Sequence, residues 1–127
     1  TKGGYVAAVR LNKRMKEILL EMINDTRSRT STTFEEDDEI GLGNCLNAMQ
    51  WLENKITGNK NTRIRFNIII AHEIWSWTLD REFHPNSNEK DFHSALQWIT
   101  NQWNKKYSLT TLMNLADKKL RTQRNGN

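Results

Sequence analysis

The sequence predicts an all-α fold, a compact bundle of four to five helices around a central apolar helix at about residues 63–84. Apolar residues recur at steps of three and four along most of the chain, which is the period of a helix with one buried face. One stretch alternates like a β-strand, but the sequence offers no convincing second strand to pair with it. A chain of 127 residues is also long enough to bury one core. We therefore expect residues 1–127 to form a single helical domain.

The first helix is predicted at about residues 5–26. Its apolar residues follow a helical spacing, and the charged residues between them fall on the opposite side: Ala8, Leu11, Met15, Ile18 or Leu19, and Met22 form the apolar face. The next stretch is rich in Ser and Thr, whose side chains compete with helical hydrogen bonds. We therefore expect a mobile loop at about 27–34.

The second helix is predicted at about residues 44–57, and it ends at Gly58. Its apolar positions again have helical spacing: Cys45 or Leu46, Met49, Leu52 and Ile56. Thr33 and Glu36 have the spacing of a capping box, which would allow the helix to start as early as residue 35. Two glycines, at positions 41 and 43, indicate a break instead, because each costs a helix interior ~1 kcal/mol relative to Ala.

The central segment, at about 63–84, is the most apolar part of the chain. Its first half alternates between apolar and other residues, which is as typical of a strand as of a helix. A helix is favoured because the apolar run continues without a helix breaker as far as Pro85, and because the neighbouring segments are helical. The helix would bury one face, formed by Ile64, Ile68, Ala71, Trp75 and Leu79 and broadened by Phe66, Ile70 and Trp77.

Two more helices are predicted after Pro85. Asn88 is a suitable N-cap for a helix at about 89–107, with an apolar face of Phe92, Ala95 or Leu96, Ile99, Trp103 and Tyr107. Ser108 can cap the last helix, at about 109–122, with a face of Leu109, Leu112, Met113, Ala116 and Leu120. We expect the tail, at about 122–127, to fray.

The charge distribution favours a nucleic-acid partner. The chain has 19 Lys and Arg residues against 15 Asp and Glu residues, and five of the acids are consecutive at 35–39. A positive field attracts polyanions, and Lys and Arg are the usual phosphate contacts. The first hypothesis is therefore a small non-enzymatic accessory protein that binds nucleic acid, or a nucleic-acid-processing complex, through basic helix faces. Its candidate contacts are Arg10, Lys13, Arg14, Lys16, Arg27, Arg29, Arg63, Arg65, Lys105, Lys106, Lys118, Lys119, Arg121 and Arg124.

The alternative hypothesis is a protein-interaction module, such as an adaptor or an inhibitor of a larger enzyme. Three of the five tryptophans lie off the best apolar stripes, and exposed Trp is enriched at protein interfaces. The acidic run could contact a basic partner. The candidate contacts are Trp51, Trp77, Trp98, Glu35, Glu36, Asp37, Asp38 and Glu39.

A third hypothesis is a metal-dependent hydrolase or nuclease that uses His72, Asp80, His84 and His93. Imidazole and carboxylate groups are good ligands for divalent metals. On one straight helix, however, His72 and His84 would be ~18 Å apart, too far to share an ion. The HExxH motif is also absent, because Ser76 stands four residues after His72. We therefore expect no catalytic residue, metal or cofactor.

The single cysteine, Cys45, cannot form an internal disulfide and is expected to be a small buried hydrophobic residue. The sequence contains no apolar run of the ~18 residues that a membrane span requires. It also shows no apolar core of a signal peptide near residue 1. We therefore expect a cytoplasmic protein without a membrane partner; the oligomeric state is left open.

Overall fold

The computed structural model describes residues 9–33, 38–60, 63–81 and 88–125. These residues form four long α-helices, α1 (Lys13–Thr33), α2 (Glu39–Thr57), α3 (Ile68–Arg81) and α4 (Lys90–Asn104). The C-terminal helix follows as three consecutive segments, an α-helical turn (Leu109–Thr111), a π-helical segment (Leu112–Ala116) and a last α-helical segment (Asp117–Arg124). The predicted all-α bundle is confirmed, and the described residues contain no strand.

Helix α1 begins later and ends later than predicted. Its start is set by Asn12, whose side-chain oxygen accepts a hydrogen bond from the Met15 backbone N–H at 2.8 Å. The loop predicted at about 27–34 is wrong as far as Thr33, because these residues are helical. The hydroxyls of Thr26 and Thr30 donate to carbonyls four residues earlier, at 2.9 and 2.7 Å. These side chains therefore bond within the helix instead of competing with it.

Helix α2 includes both glycines that were predicted to interrupt it. Asp38 is its N-cap, and the carboxylate accepts a hydrogen bond from the Gly41 backbone N–H at 3.0 Å. A Cβ at position 41 would collide with that carboxylate, so glycine fits this capping arrangement. The helix ends at Gly58, as predicted, and this residue adopts the left-handed conformation with φ of 77°.

Helix α3 begins later than the predicted central helix. Residues 63–67 have no regular secondary structure, and the Asn67 side chain accepts a hydrogen bond from the Ile70 backbone N–H at 3.0 Å, which caps the start of α3. The strand-like alternation at 63–67 therefore belongs to a short non-helical segment whose residues alternate between exposed and half-buried. The buried face also differs, because Leu79 is 46% exposed and Trp75 is only half-buried. The residues that α3 buries are Ile68, Ile70, Ala71, Ile74 and Trp77.

Helix α4 and the C-terminal helix lie close to their predicted positions. The predicted face of α4 is largely buried, and it also includes Trp98. Ser108 caps the C-terminal helix by accepting a hydrogen bond from the Thr111 backbone N–H at 3.2 Å. Of the face predicted for this helix, Leu112 and Ala116 are buried, whereas Leu109 and Met113 are exposed.

A single core joins all these helices. Helix α3 packs against α2, α4 and the π-helical segment, while α1 packs against α2 and α4 on the other side. Within the described part of the chain, no helix has the length and apolar character needed to cross a membrane. Among the recesses that this packing leaves, two contrast in character, one beside the C-terminal helix and one between α1, α2 and α3.

Candidate nucleic-acid interface

A basic groove lies where the non-helical segment 63–67 approaches the C-terminal helix. It consists of two depressions of about 850 and about 330 Å³ that share Asn67, Ile69 and Gln123. Helix α2 contributes to one side of the smaller depression. The groove is lined by Asn44, Asn47, Arg63, Ile64, Arg65, Asn67, Ile68, Ile69, Ile70, Tyr107, Leu115, Lys118, Lys119, Thr122 and Gln123.

The charge of this groove is uncompensated. Arg63, Arg65, Lys118 and Lys119 are all exposed, and none of them makes an ion pair with the described residues. The described lining contains no carboxylate. The field of these four cations is therefore directed into the solvent, where it can attract an anion.

Local structure explains how the groove residues come to share one surface. Exposure alternates along the segment 63–67: Arg63, Arg65 and Asn67 are exposed, while Ile64 and Phe66 pack against the core. On the C-terminal helix, Lys118 and Thr122 are separated by one turn, as are Lys119 and Gln123, and each pair shares a side of the helix. Gln123 also accepts a hydrogen bond from the side-chain amide of Asn44 at 3.1 Å, which links the helix to α2.

A row of three aromatic rings lies beside the groove. The centroids of Trp51 and Phe66 are 4.8 Å apart, and those of Phe66 and Tyr107 are 5.9 Å apart with nearly parallel planes. All three rings are half-buried. Tyr107 lines the larger depression of the groove. Trp51 lines a separate depression of about 320 Å³ with Asn54, Lys55, Gly58, Asn59 and Lys60.

Five of the other predicted cations are paired with carboxylates. The distances are 2.7 Å for Arg14 to Glu89, 2.6 Å for Arg27 to Glu53, 2.8 Å for Arg121 to Asp117 and 3.0 Å for Arg124 to Asp38, and Arg29 pairs with Asp25. These five contribute less outward field than unpaired cations would. The remaining predicted cations are exposed at two places. Arg10, Lys13 and Lys16 surround the start of α1, and Lys105 and Lys106 follow α4 next to Tyr107.

The protein-interaction hypothesis loses two of its predicted contacts. Trp77 and Trp98 are only 5% and 8% exposed, so neither indole is available as a surface contact. The Trp77 indole N–H donates to the Thr26 hydroxyl at 2.8 Å, which satisfies this donor inside the protein. Trp51 is half-buried and accessible.

The acidic run is only partly described. Asp38 caps α2 and pairs with Arg124, and both contacts hold the pKa of Asp38 below its usual value, the Arg124 hydrogen bond most strongly. Glu39 is exposed in the first turn of α2. Glu35, Glu36 and Asp37 lie outside the described residues.

The second recess is a mixed-charge cleft of about 580 Å³ between α1, α2 and α3. Its lining consists of Thr26, Arg29, Thr30, Cys45, Met49, Glu73, Ser76, Trp77, Asp80 and Arg81. One guanidinium nitrogen of Arg81 donates to the Thr26 hydroxyl at 2.6 Å, and another lies 3.6 Å from Asp25. The same guanidinium lies over the Trp77 ring, 5.4 Å from its centroid. This arginine is therefore engaged within the protein.

Burial changes the acid–base properties of the cleft. It raises the pKa of Glu73 to about 7 and that of the Cys45 thiol to about 11. It also lowers the pKa of Arg81. Glu73 can therefore exchange a proton near neutral pH, whereas the half-buried Cys45 stays a neutral thiol, in line with its expected role as a small hydrophobic residue.

The proposed metal ligands that the structure describes, His72, Asp80 and His93, do not form a cluster. His72 is half-buried with its pKa lowered by burial, His93 is exposed on α4, and His84 lies outside the described residues. Among the residues that the structure describes, no group of three His, Cys, Asp or Glu side chains is placed to hold a metal ion. The described part of the chain therefore provides no support for the metal-site hypothesis.

Comparison with protein-family models, curated proteins and solved structures gave no significant match for this chain. The groove therefore has to be interpreted from its own residues. Sequence reasoning identified its four cations but missed the polar residues Asn44, Asn47, Asn67 and Gln123, and it assigned Tyr107 only to the core face of a helix. The alternation at 63–67 was the available signal, because it already placed the arginines and Asn67 on one side.

Proposed function

We propose that this protein binds nucleic acid in the basic groove, with Arg63, Arg65, Lys118 and Lys119 contacting phosphates. One observation carries the proposal: two exposed arginines and two exposed lysines from distant parts of the chain line the same groove, with no carboxylate among its described residues. A polyanion is the ligand class that such a surface attracts most strongly.

The expected affinity is salt-dependent. Each phosphate that a cation neutralises releases counterions, and the logarithm of the binding constant falls with the logarithm of salt concentration by roughly 0.7–0.9 per contact. Four contacts predict a slope of about −3 to −4. The side chains of Asn67 and Gln123 lie between the cations and can form hydrogen bonds to sugars, phosphates or base edges.

The proposal assigns binding, and not catalysis, to the groove. The described lining offers guanidinium, ammonium, amide, hydroxyl and apolar groups, but no imidazole, thiol or carboxylate. These groups hold and orient a strand. The proposed role is therefore that of an accessory protein, acting on nucleic acid directly or within a nucleic-acid-processing complex.

The test compares two quadruple variants of equal net charge. The groove variant carries Arg63→Gln, Arg65→Gln, Lys118→Gln and Lys119→Gln, and the control carries Arg10→Gln, Lys13→Gln, Lys16→Gln and Lys90→Gln, all of which replace exposed cations outside the groove. Fluorescence anisotropy with labelled single-stranded and duplex oligonucleotides, between about 50 and 200 mM salt, gives affinities and salt slopes.

The groove variant is expected to lose about a hundredfold in affinity at low salt and to have a slope reduced by about three, since its phosphate contacts are gone. The control should keep most of its affinity and slope. Equal losses in the two variants would mean that net charge, not the groove, attracts the ligand. A parent protein that binds neither oligonucleotide at low salt would refute the proposal.

A further inference from the structure

The row of aromatic rings Trp51, Phe66 and Tyr107 indicates which form of nucleic acid the groove accepts. Phe66 lies between the other two rings, at 4.8 and 5.9 Å from their centroids, and is therefore a spacer. Trp51 and Tyr107 are the outer members of the row, and each lines a depression of its own. Both outer rings are half-buried, so each ring is held by the fold and still reaches the surface.

Lysines accompany both outer rings. The Lys55 ammonium lies over the Trp51 ring, 5.9 Å from its centroid, and Lys60 lines the same depression. Lys118 and Lys119 line the depression that contains Tyr107. The row of rings is therefore flanked by exposed cations at both ends, and the described lining of these two depressions contains no carboxylate.

This pattern of rings and cations suits unpaired bases. In a duplex the bases are stacked on each other and only phosphates and groove edges are accessible, so a protein ring cannot stack on a base without disrupting the helix. A single strand has free base faces beside its phosphates. Stacking of such bases on aromatic side chains, with cations along the backbone, is how single strands are bound without regard to sequence.

We infer that the groove, together with the separate depression beside Trp51, binds single-stranded nucleic acid, with unpaired bases stacked on Tyr107 and Trp51 and flanking phosphates on the lysines beside each ring. This inference rests on the proposed function, and it specifies the ligand class of the same site. Charge complementarity selects a polyanion, and the rings select a polyanion with accessible bases. The shared chemistry is a single-stranded polynucleotide, which either DNA or RNA can supply.

The test measures the affinity of Tyr107→Leu, Tyr107→Phe and the parent for oligothymidylate, oligouridylate and a duplex of equal length. Tyr107→Leu should weaken binding of the single strands by roughly five- to a hundredfold, since one stacked base is lost, and should leave duplex binding unchanged. Tyr107→Phe keeps the ring and should bind single strands more tightly than Tyr107→Leu does. Tight binding of either single strand relative to the duplex supports the inference, and the two strands together show whether a 2′-hydroxyl matters.

A second measurement does not depend on the stability of the leucine variant. Trp77, Trp98 and Trp103 are buried, and the half-buried Trp75 lines a different depression with His93 and Leu96, so quenching of tryptophan fluorescence by a single strand should come largely from Trp51. The Trp51→Phe variant should therefore lose most of this quenching. The inference would be overturned if quenching persisted in Trp51→Phe. It would also be overturned if the duplex bound as tightly as the single strands and lost as much affinity in Tyr107→Leu. Salt-sensitive duplex binding that needs the groove cations would leave the proposed function intact, whereas no binding of any oligonucleotide would remove both.

Discussion

The mixed-charge cleft and the basic groove contain similar charged residues but differ in how those charges are balanced. The cleft has two arginines and two acids in its lining, and Arg81 is held by Thr26, Asp25 and the Trp77 ring. The groove has four exposed cations and no acid in its described lining. Charges that are paired inside a fold mainly affect stability, whereas unpaired surface charges act on ligands.

The two recesses also differ in how deeply their apolar lining residues are buried. The cleft is lined by core residues such as Met49, which is 1% exposed. The groove is lined by residues such as Leu115, which is 50% exposed. Changes in the cleft should therefore affect folding, and changes in the groove should affect binding.

The largest expected difference is between truncations of these two apolar residues. Met49→Ala removes a buried side chain and leaves a cavity, so we expect it to reduce the free energy of unfolding by about 2–5 kcal/mol. Leu115→Ala should change the free energy of unfolding by less than about 0.5 kcal/mol. Urea denaturation followed by circular dichroism measures both. Equal destabilisation by the two variants would show that the groove is as much a part of the core as the cleft.

The next difference concerns two threonines. The Thr26 hydroxyl accepts hydrogen bonds from Trp77 and Arg81, at 2.8 and 2.6 Å. Thr26→Val would leave the buried indole N–H without its acceptor, at a cost of about 1–3 kcal/mol. Thr122→Val is the matched control, because the Thr122 hydroxyl is exposed and only donates to the Lys118 carbonyl. Thermal unfolding of both variants measures the effect. A Thr26→Val variant with the melting temperature of the parent would mean that this network does not stabilise the fold.

The smallest expected difference is in how the stability of the fold depends on pH. Burial raises the pKa of Glu73 from its ordinary value of 4.5 to about 7, so the folded protein holds this proton more tightly than the unfolded chain does. The contribution of Glu73 to stability therefore falls as pH rises from 4.5 to about 7 and is constant above that range. Glu73→Gln should be more stable than the parent by about 1–2 kcal/mol at pH ~8 and nearly equal to it at pH ~4.

Glu53 provides a control, because its contribution to stability changes with pH in the opposite direction. Its hydrogen bond from Arg27 holds its pKa below the ordinary value of 4.5, so this carboxylate stabilises the fold above that value and loses its effect as pH falls through the folded pKa. Glu53→Gln should therefore be less stable than the parent at neutral pH, and the deficit should shrink in acid. Chemical denaturation across this pH range measures both variants. A Glu73→Gln variant with the pH profile of Glu53→Gln would contradict the burial of Glu73.

The sequence predicted the helices where local rules act alone, as the buried Met15, Met22 and Leu52 and the helix end at Gly58 illustrate. It failed where a local preference is overridden by the fold. The Ser- and Thr-rich stretch that starts at Thr26 is helical, and the hydroxyls of Thr26 and Thr30 bond to carbonyls of the helix backbone. The Thr26 hydroxyl also bonds to side chains of α3. Trp77 is buried because packing against the neighbouring helices decides which face of α3 points inward. Apolar residues lie on several sides of this segment, so their spacing alone does not specify that face.

By itself, the sequence determined an all-α bundle and a set of cations suited to phosphate contact, because helical periodicity and charge are properties of local composition. Only the tertiary structure decided which cations converge. Arg63 and Arg65 line one depression and Lys118 and Lys119 line the other, and the two depressions are joined through Asn67, Ile69 and Gln123. The same packing placed Tyr107 and Trp51 on either side of Phe66. Contacts between residues so far apart in the chain depend on how helices pack, and no periodicity within one segment encodes that.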